Sequence, residues 1–168
     1  MFSMSDSKTK RDQKWLDNLL HSVWEGHFSD VRRVNNIRIE FGRRARRRLG
    51  SISVDRNDPK VSVIRVNGWF RDDEVPEFLI RSVIVHELCH YAHGFNSGSQ
   101  ERQHQYPHAG GVVRQEFSER GLAALYDQQQ SWLKQNWPRF ISRRYPINSR
   151  KPSPRGGPTK SLLRRLLS

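Results

Sequence analysis

The chain has 168 residues, a length that suits one compact domain with polar ends. Apolar residues make up 35% of it, its mean hydropathy is −0.84, and no apolar run approaches the roughly 20 residues needed to cross a bilayer. Residues 1–14 lack the apolar segment of a secretory signal, and a single cysteine, Cys89, excludes an internal disulfide. We therefore expect a protein that is not secreted and that resides in the cytoplasm or in the nucleoid or nucleus.

Positive charge dominates the composition, with a formal net charge of +13. Such an excess favours a polyanionic partner, and nucleic acid first. The charge is concentrated in two segments, because no Asp or Glu occurs from Gln128 to the C-terminus and a second segment is rich in arginine. We expect contacts to DNA phosphates, without sequence preference, from Arg43, Arg44, Arg46, Arg47 and Arg48 in one segment and from Arg143 and Arg144 in the other.

The first half of the chain predicts one helix and three strands. Apolar residues recur at helical spacing over residues 12–26, and Gly26 is expected to end this amphipathic helix. Residues 37–41, 51–54 and 61–66 alternate apolar and polar side chains, as half-buried strands do. Because these strands are close together in the sequence, we expect a small, mainly antiparallel three-stranded sheet.

The second half predicts two long helices and a basic tail. Pro76 can begin a helix that continues to about His93, and Gly94 offers the left-handed residue that ends it. A second long helix is expected over residues 112–133, with Trp137 and Pro138 after its end. The fold class is therefore α+β. Residues 1–10 and the Pro- and Gly-rich basic residues 147–168 are expected to be disordered.

One pentapeptide carries the chemistry, namely His86-Glu87-Leu88-Cys89-His90 at the end of an apolar run. On a helix, His86 and His90 share a face and can hold one metal ion, with Glu87 beside the first histidine. This is the H-E-x-x-H pattern of zinc hydrolases. Neutral imidazoles suit zinc, zinc lowers the pKa of its bound water towards ~7, and a carboxylate can take the proton. The motif predicts one Zn²⁺ per chain on His86 and His90, with Glu87 as catalytic base.

A catalytic zinc usually takes three protein ligands, so the chain should supply a third. His93 lies too far along the same helix to complete a tetrahedral site, and we expect it to support a ligand or cap the helix. His104 and His108 both follow a loop long enough to return to the metal. We favour His108, because the next helix would hold it in place, with His104 as the alternative. Glu116 and Glu119 are weaker candidates.

The order of these motifs resembles the SprT-like metallopeptidases, the Spartan group, and the related minigluzincin-type proteins. The resemblance spans about residues 37–125 and is carried by the H-E-L-C-H helix, the upstream stretch Arg47-Arg48-Leu49-Gly50-Ser51-Ile52, and a later His108 before a helix with Phe117. In that family the two motif histidines and a histidine at the start of the next helix bind zinc, and the motif glutamate is the base. The resemblance thus implies these roles for His86, His90, His108 and Glu87. Better-known members cleave proteins crosslinked to DNA and need DNA for activity.

The sequence departs from the family pattern in two places. The third histidine of the family is commonly followed by glycine and soon by an aromatic residue, whereas Ala109 follows His108 and Phe117 comes late, so His104 stays open. The cysteine-rich C-terminal zinc module of many members is missing, since Cys89 is the only cysteine. Any DNA would have to be bound by the arginine-rich segments.

Two functional hypotheses follow. The first is that residues 11–146 form a SprT-like zinc metallopeptidase, which hydrolyses peptide bonds in DNA-associated or DNA-crosslinked proteins and so serves DNA–protein crosslink repair. The alternative is a non-catalytic nucleic-acid-binding protein with a structural zinc site. The presence of Glu87 favours the first hypothesis over the second, because a structural zinc site does not need a glutamate beside its ligands.

Overall fold

The structure is a computed structural model that describes residues 10–94 and 111–145. Its helices and strands are α1 (Gln13–His27), β1 (Asn36–Phe41), β2 (Gly50–Val54), β3 (Val61–Val66), α2 (Glu77–Ala92), α3 (Val112–Glu119), α4 (Ala123–Gln135) and α5 (Trp137–Arg144), with a short 3-10 helix, Gly68–Arg71, after β3. The predicted α+β class is confirmed, with a helix first and the H-E-x-x-H motif on α2. The basic tail predicted over residues 147–168 lies outside the described residues.

The sheet is mixed, and its central strand is the last of the three in the chain. The strand order is β1-β3-β2, with β3 parallel to β1 and antiparallel to β2. The expected antiparallel pairing therefore holds for β2 and β3. Each connection reverses the chain, so β1 and β3 run in the same direction, and β3 lies between the two earlier strands. Within the described sheet, β1 and β2 are both edge strands.

The hydrophobic core lies between one face of this sheet and the helices. The pairing register aligns Ile39, Ile64 and Ile52 across the three strands, and all three are buried together with side chains of α1 and α2. Alternate residues point to the opposite face, where Arg65 Nε donates to Glu40 Oε1 at 2.7 Å and Val63 of the central strand is also buried. The period-two alternation in the sequence thus identified the inward-facing residues of the strands.

Two glycines end helices, and a third does not. Gly94, after α2, has a φ of +78°, as predicted. Gly121 has a φ of +72° and divides the single helix expected over residues 112–133 into α3 and α4. The Leu122 N–H donates to the Phe117 carbonyl there at 2.7 Å, a Schellman arrangement that suits glycine. Gly26, expected to end α1, lies inside it, because α1 continues to His27.

The last described helix was also not expected. Trp137 and Pro138 were predicted to follow the end of a helix, but they begin α5. Proline is compatible with a first helical turn, because its missing N–H has no partner to lose there. None of the described helices is long and apolar enough to cross a membrane.

Candidate metal and peptidase site

The motif lies on a helix that is enclosed on nearly all sides. Twelve of the residues of α2 are buried, and the helix packs against α1, β2, β3, α3 and α4. A helix that is apolar all round needs such surroundings. The three polar motif side chains are drawn into the interior with it, since His86, Glu87 and His90 are only 2%, 4% and 7% exposed.

The two motif histidines turn towards each other, as their spacing predicted. The Nε2 atoms of His86 and His90 lie 3.0 Å apart, with ring centroids 4.7 Å apart and ring planes at 85°. Two nitrogen ligands of one tetrahedral zinc ion, each with a bond of about 2.0–2.1 Å, lie roughly 3.3 Å apart. The pair therefore fits a shared zinc ion.

The Glu87 carboxyl lies against strand β2. The backbone N–H of Ile52 hydrogen-bonds to it. Burial raises the pKa of Glu87 to about 8, and the positive charge of Arg48 and the Ile52 hydrogen bond oppose part of that rise. With this pKa the carboxyl group is mostly protonated at neutral pH in the metal-free protein, and a bound metal cation would favour the ionised form that a base needs.

Gly50 is a site residue whose role the sequence reasoning missed. A Cβ atom at this position would lie 2.6 Å from Val83 Cγ1 and 2.7 Å from Glu87 Oε1. Only glycine allows β2 to approach α2 and the glutamate so closely. A signal was present, because Gly50 belongs to the stretch that carried the family resemblance, but its contact with Glu87 depends on two segments far apart in the chain.

His93 belongs to a different cluster. Its Nε2 lies 2.8 Å from Glu116 Oε2 on α3, and Glu116 also accepts from Arg120. The pKa of Glu116 is lowered mainly by its hydrogen bond to His93, and the hydrogen bond and positive charge of Arg120 lower it further. Arg120 further reaches Asp30 and the His27 carbonyl, which links the ends of α1 and α2 to α3. His93 is also the C-cap residue of α2, which is one of the two roles predicted for it, whereas support of a zinc ligand stays a prediction.

The described residues do not supply the predicted third metal ligand. Over residues 10–94 and 111–145, no three His, Cys, Asp or Glu side chains come together in a group that could hold a metal ion. Glu116 is engaged by His93, and Glu119 is exposed. His104 and His108 are both outside the described residues. The choice between these two histidines stays a prediction.

The loop between β1 and β2, residues 42–49, is termed the arginine loop. All of its arginines are exposed, and none forms an ion pair with a carboxylate of the described residues: Arg43, Arg44, Arg46, Arg47 and Arg48. Arg44 and Arg46 stack on the rings of Trp69 and Tyr145, at 4.5 and 4.3 Å, but all five side chains remain exposed and can contact an external anion.

The backbone of the arginine loop is held from three sides. The Asn67 side chain donates to the carbonyl oxygens of Ala45 and Arg48, at 2.8 and 2.7 Å. Trp137 Nε1 donates to the Arg46 carbonyl at 3.0 Å, and the Tyr145 hydroxyl donates to the Arg44 carbonyl at 3.0 Å. The loop therefore presents its arginines from a well-anchored backbone.

The arginines at the end of α5 differ from those of the loop. Arg144 pairs with Asp72 and Glu74, lies 3.5 Å above the centre of the Phe140 ring and is 15% exposed. The structure thus places Arg144 inside the fold, where it joins α5 to the segment before α2, and its charge is offset by two carboxylates. Arg143 also pairs with Glu74 but is 62% exposed, so it keeps access to solvent.

Comparison with known proteins adds no relative. No protein-family model matches the chain, and no curated protein or solved structure does so either. The likeness to SprT-like metallopeptidases stays a prediction from the motifs, and the function has to be inferred from the chemistry of the site.

Proposed function

We propose that the protein is a zinc-dependent metallopeptidase of SprT-like type that cleaves proteins associated with DNA. The observation that carries the proposal is one arrangement on α2: two histidine Nε2 atoms 3.0 Å apart, beside a buried glutamate that strand β2 holds in place. A structural zinc site needs the histidines but not Glu87. The buried carboxyl therefore favours a catalytic site.

Each polar group of the motif has a distinct task. His86 and His90 would hold the zinc ion, together with a third ligand for which His108 is favoured over His104. When bound, zinc would polarise the scissile carbonyl group and acidify a water molecule. Glu87 would accept the proton of the attacking water and return it to the leaving amine. The Ile52 N–H faces the carboxyl group and favours its charged form.

The hydrogen bonds of β2 follow an alternating pattern. The Leu49 carbonyl accepts from the Asn67 N–H, and the Asp55 N–H donates to the Val61 carbonyl, each at 2.8 Å. The odd-numbered residues of this segment thus direct their backbone groups towards β3. In an antiparallel pair, the even-numbered residues then direct their backbone N–H and C=O groups away from the partner strand, towards the free edge of β2.

The residues of β2 whose backbone N–H and C=O groups point away from β3 support a polypeptide substrate. They are Gly50, Ile52 and Val54, and the Ile52 N–H meets Glu87. An extended polypeptide could add to this edge as a further strand, which is a common mode of peptide recognition. Its backbone would then run past the Glu87 carboxyl. A peptide bond is therefore the group best placed to meet the proposed base.

The arginine loop supports nucleic acid as the accompanying partner. Its cations lack carboxylate partners within the described residues, it precedes β2 directly, and the chain as a whole carries a net charge of +13. Phosphate contacts made by such side chains carry no sequence information, so binding should be nonspecific and weakened by salt. A protein resting on DNA would then be presented to the peptidase site.

Elemental analysis combined with a proteolysis assay tests the proposal. Full-length protein should contain about one zinc ion per chain, should lose it in His86→Ala and His90→Ala, and should cleave a DNA-bound protein. Glu87→Gln should keep the zinc and the circular dichroism spectrum but lose cleavage by roughly 100-fold or more. Glu119→Gln, the same change at an exposed position on α3, serves as the control.

Two results would refute the peptidase proposal. One is a well-folded wild-type protein that contains no zinc. The other is a Glu87→Gln variant that retains wild-type activity, which would leave the alternative of a nucleic-acid-binding protein with a structural metal site.

A further inference from the structure

A hollow lies at the beginning of β2, and arginines line it. Its lining includes Arg43, Arg44 and Arg48 of the arginine loop and Gly50 and Ser51 of β2. On its other side it is lined by Gly42, which follows β1, and by Arg65, Val66 and Asn67 at the end of β3. No Asp or Glu of the described residues is part of the lining. The hollow is therefore a concave and strongly positive surface, termed here the arginine hollow.

The arginine hollow adjoins the proposed catalytic base. Arg48 precedes Gly50 by two residues, and the Cβ position of Gly50 is 2.7 Å from Glu87 Oε1. Two residues of chain span at most about 7 Å, so the backbone of Arg48 lies within about 7 Å of that of Gly50. A polypeptide extended along β2 would reach the hollow within a few residues of the bond at Glu87.

We propose that the arginine hollow is a subsite for an acidic side chain of the polypeptide substrate, with Arg48 as the main contact and Arg43 and Arg44 in support. This inference rests on the proposed peptidase function. A polypeptide that pairs antiparallel with β2 runs from the Val54 end towards the Gly50 end, so its C-terminal side reaches the arginines. The preferred Asp or Glu therefore lies on the C-terminal side of the scissile bond. Guanidinium groups match carboxylates through paired hydrogen bonds.

The arrangement of the arginine loop favours a peptide carboxylate over a nucleic-acid phosphate in this hollow. A phosphate backbone there would occupy the beginning of β2, which the end of the proposed substrate would have to reach. Arg46 and Arg47 are also exposed but do not line the hollow. Phosphate groups bound by these two residues would not block the substrate, so Arg46 and Arg47 are the better candidates for phosphate contacts.

Peptide binding to an inactive protein tests the inference directly. Full-length, zinc-loaded Glu87→Gln protein is titrated with a series of otherwise neutral peptides that carry an uncharged fluorophore. Each peptide contains one Glu, whose position moves along the sequence by one residue from peptide to peptide. The same peptides with Gln in place of Glu are the controls. Fluorescence anisotropy should show that a Glu peptide binds about three- to tenfold more tightly than its Gln control when the Glu lies on the C-terminal side of the scissile bond. This preference should become smaller at higher salt concentration. Cleavage of the same peptides by wild-type protein locates that bond.

Two substitutions in this background separate the arginine hollow from general charge. Arg48→Gln should bring the ratio of Glu to Gln affinities close to one. Arg56→Gln removes the same charge from an exposed position just beyond the other end of β2, and it should leave the ratio unchanged. Circular dichroism verifies that both variants are folded.

The outcomes distinguish this inference from the proposed function. Equal binding of Glu and Gln peptides, or a preference for Glu that survives Arg48→Gln, would overturn the subsite. Cleavage of all peptides at equal rates would leave the peptidase intact and remove the subsite. Conversely, binding that depends on Arg48 without any cleavage by wild-type protein would refute the peptidase and make the arginine hollow a peptide-binding site that is not a substrate subsite.

Discussion

At the scale of single residues, Glu87 is defined by its surroundings. It occupies a helix whose neighbouring side chains are apolar, it is 4% exposed, and its pKa rises from an ordinary 4.5 to about 8 because burial disfavours the charged form. Burial of this kind costs stability when the group ionises. A buried ionisable side chain beside two inward-facing histidines is typical of a functional site, because packing alone would favour an apolar residue.

This raised pKa predicts a pH-dependent stability of the metal-free protein. The folded state binds the Glu87 proton more tightly than the unfolded state, so the contribution is fully present below about pH 4.5 and is lost as the pH rises to about 8. In the presence of a chelator, the free energy of unfolding should fall by roughly 1 kcal/mol per pH unit across this window on account of Glu87. Urea unfolding of wild type and Glu87→Gln between pH 5 and pH 8 measures the difference. Parallel pH profiles for the two proteins would contradict the prediction.

The third zinc ligand gives a second prediction at this scale. His108→Ala should lower the zinc content to that of His86→Ala, because a three-ligand site that loses one ligand binds zinc much more weakly. His104→Ala should retain about one zinc ion per chain. Elemental analysis after dialysis provides the measurement, and the reverse result would assign the ligand to His104.

At the scale of elements, the site depends on the close approach of strand β2 to helix α2. Gly50 makes this possible, since a Cβ there would lie within 2.7 Å of both Val83 and Glu87 side-chain atoms. The same approach brings the Ile52 N–H to the Glu87 carboxyl. Strand and helix therefore build the site together, and neither could do so alone.

Gly50→Ala should for this reason impair both stability and function. The added methyl group forces β2 and α2 apart, and overpacking of this kind typically costs about 1–3 kcal/mol. Urea unfolding gives the stability, and the proteolysis assay gives the activity. Gly26→Ala is the matched control, because nothing lies within 4 Å of its Cβ position inside α1, and alanine should stabilise that helix by up to about 1 kcal/mol. If Gly50→Ala behaved like Gly26→Ala, the close approach would not matter.

At the scale of the whole molecule, charge is distributed unevenly between internal and external roles. Arg144 and Arg120 are held in ion pairs that join helices to neighbouring segments. The arginine loop has no such pairs among the described residues, although its backbone is anchored by Asn67, Trp137 and Tyr145. The fold thus neutralises some arginines internally and presents others beside the proposed active site.

Nucleic-acid binding should report on this division of charge. Arg46→Gln combined with Arg47→Gln should weaken DNA binding equally for unrelated sequences and should reduce the salt slope of the affinity by about two, since each lost phosphate contact removes roughly one unit of slope. Arg56→Gln combined with Lys60→Gln removes the same charge from exposed positions after β2 and should have little effect. Anisotropy titrations over a range of salt concentrations measure both. An affinity that does not depend on salt would exclude phosphate binding.

Local patterns in the sequence determined the features that arise within one segment. The pairing of His86 with His90 follows from four-residue spacing on a helix, the strands follow from alternation, and the end of α2 follows from Gly94. Contacts between distant segments decided the rest. They set the position of β3 between β1 and β2, the fit of Gly50 against Glu87, the pairing of Arg144 with Asp72, and the raised pKa of the buried glutamate. The spacing of residues along the chain determines which side chains share a face of one helix or strand. Burial and contacts between distant segments, in contrast, exist only once the helices and strands have packed together.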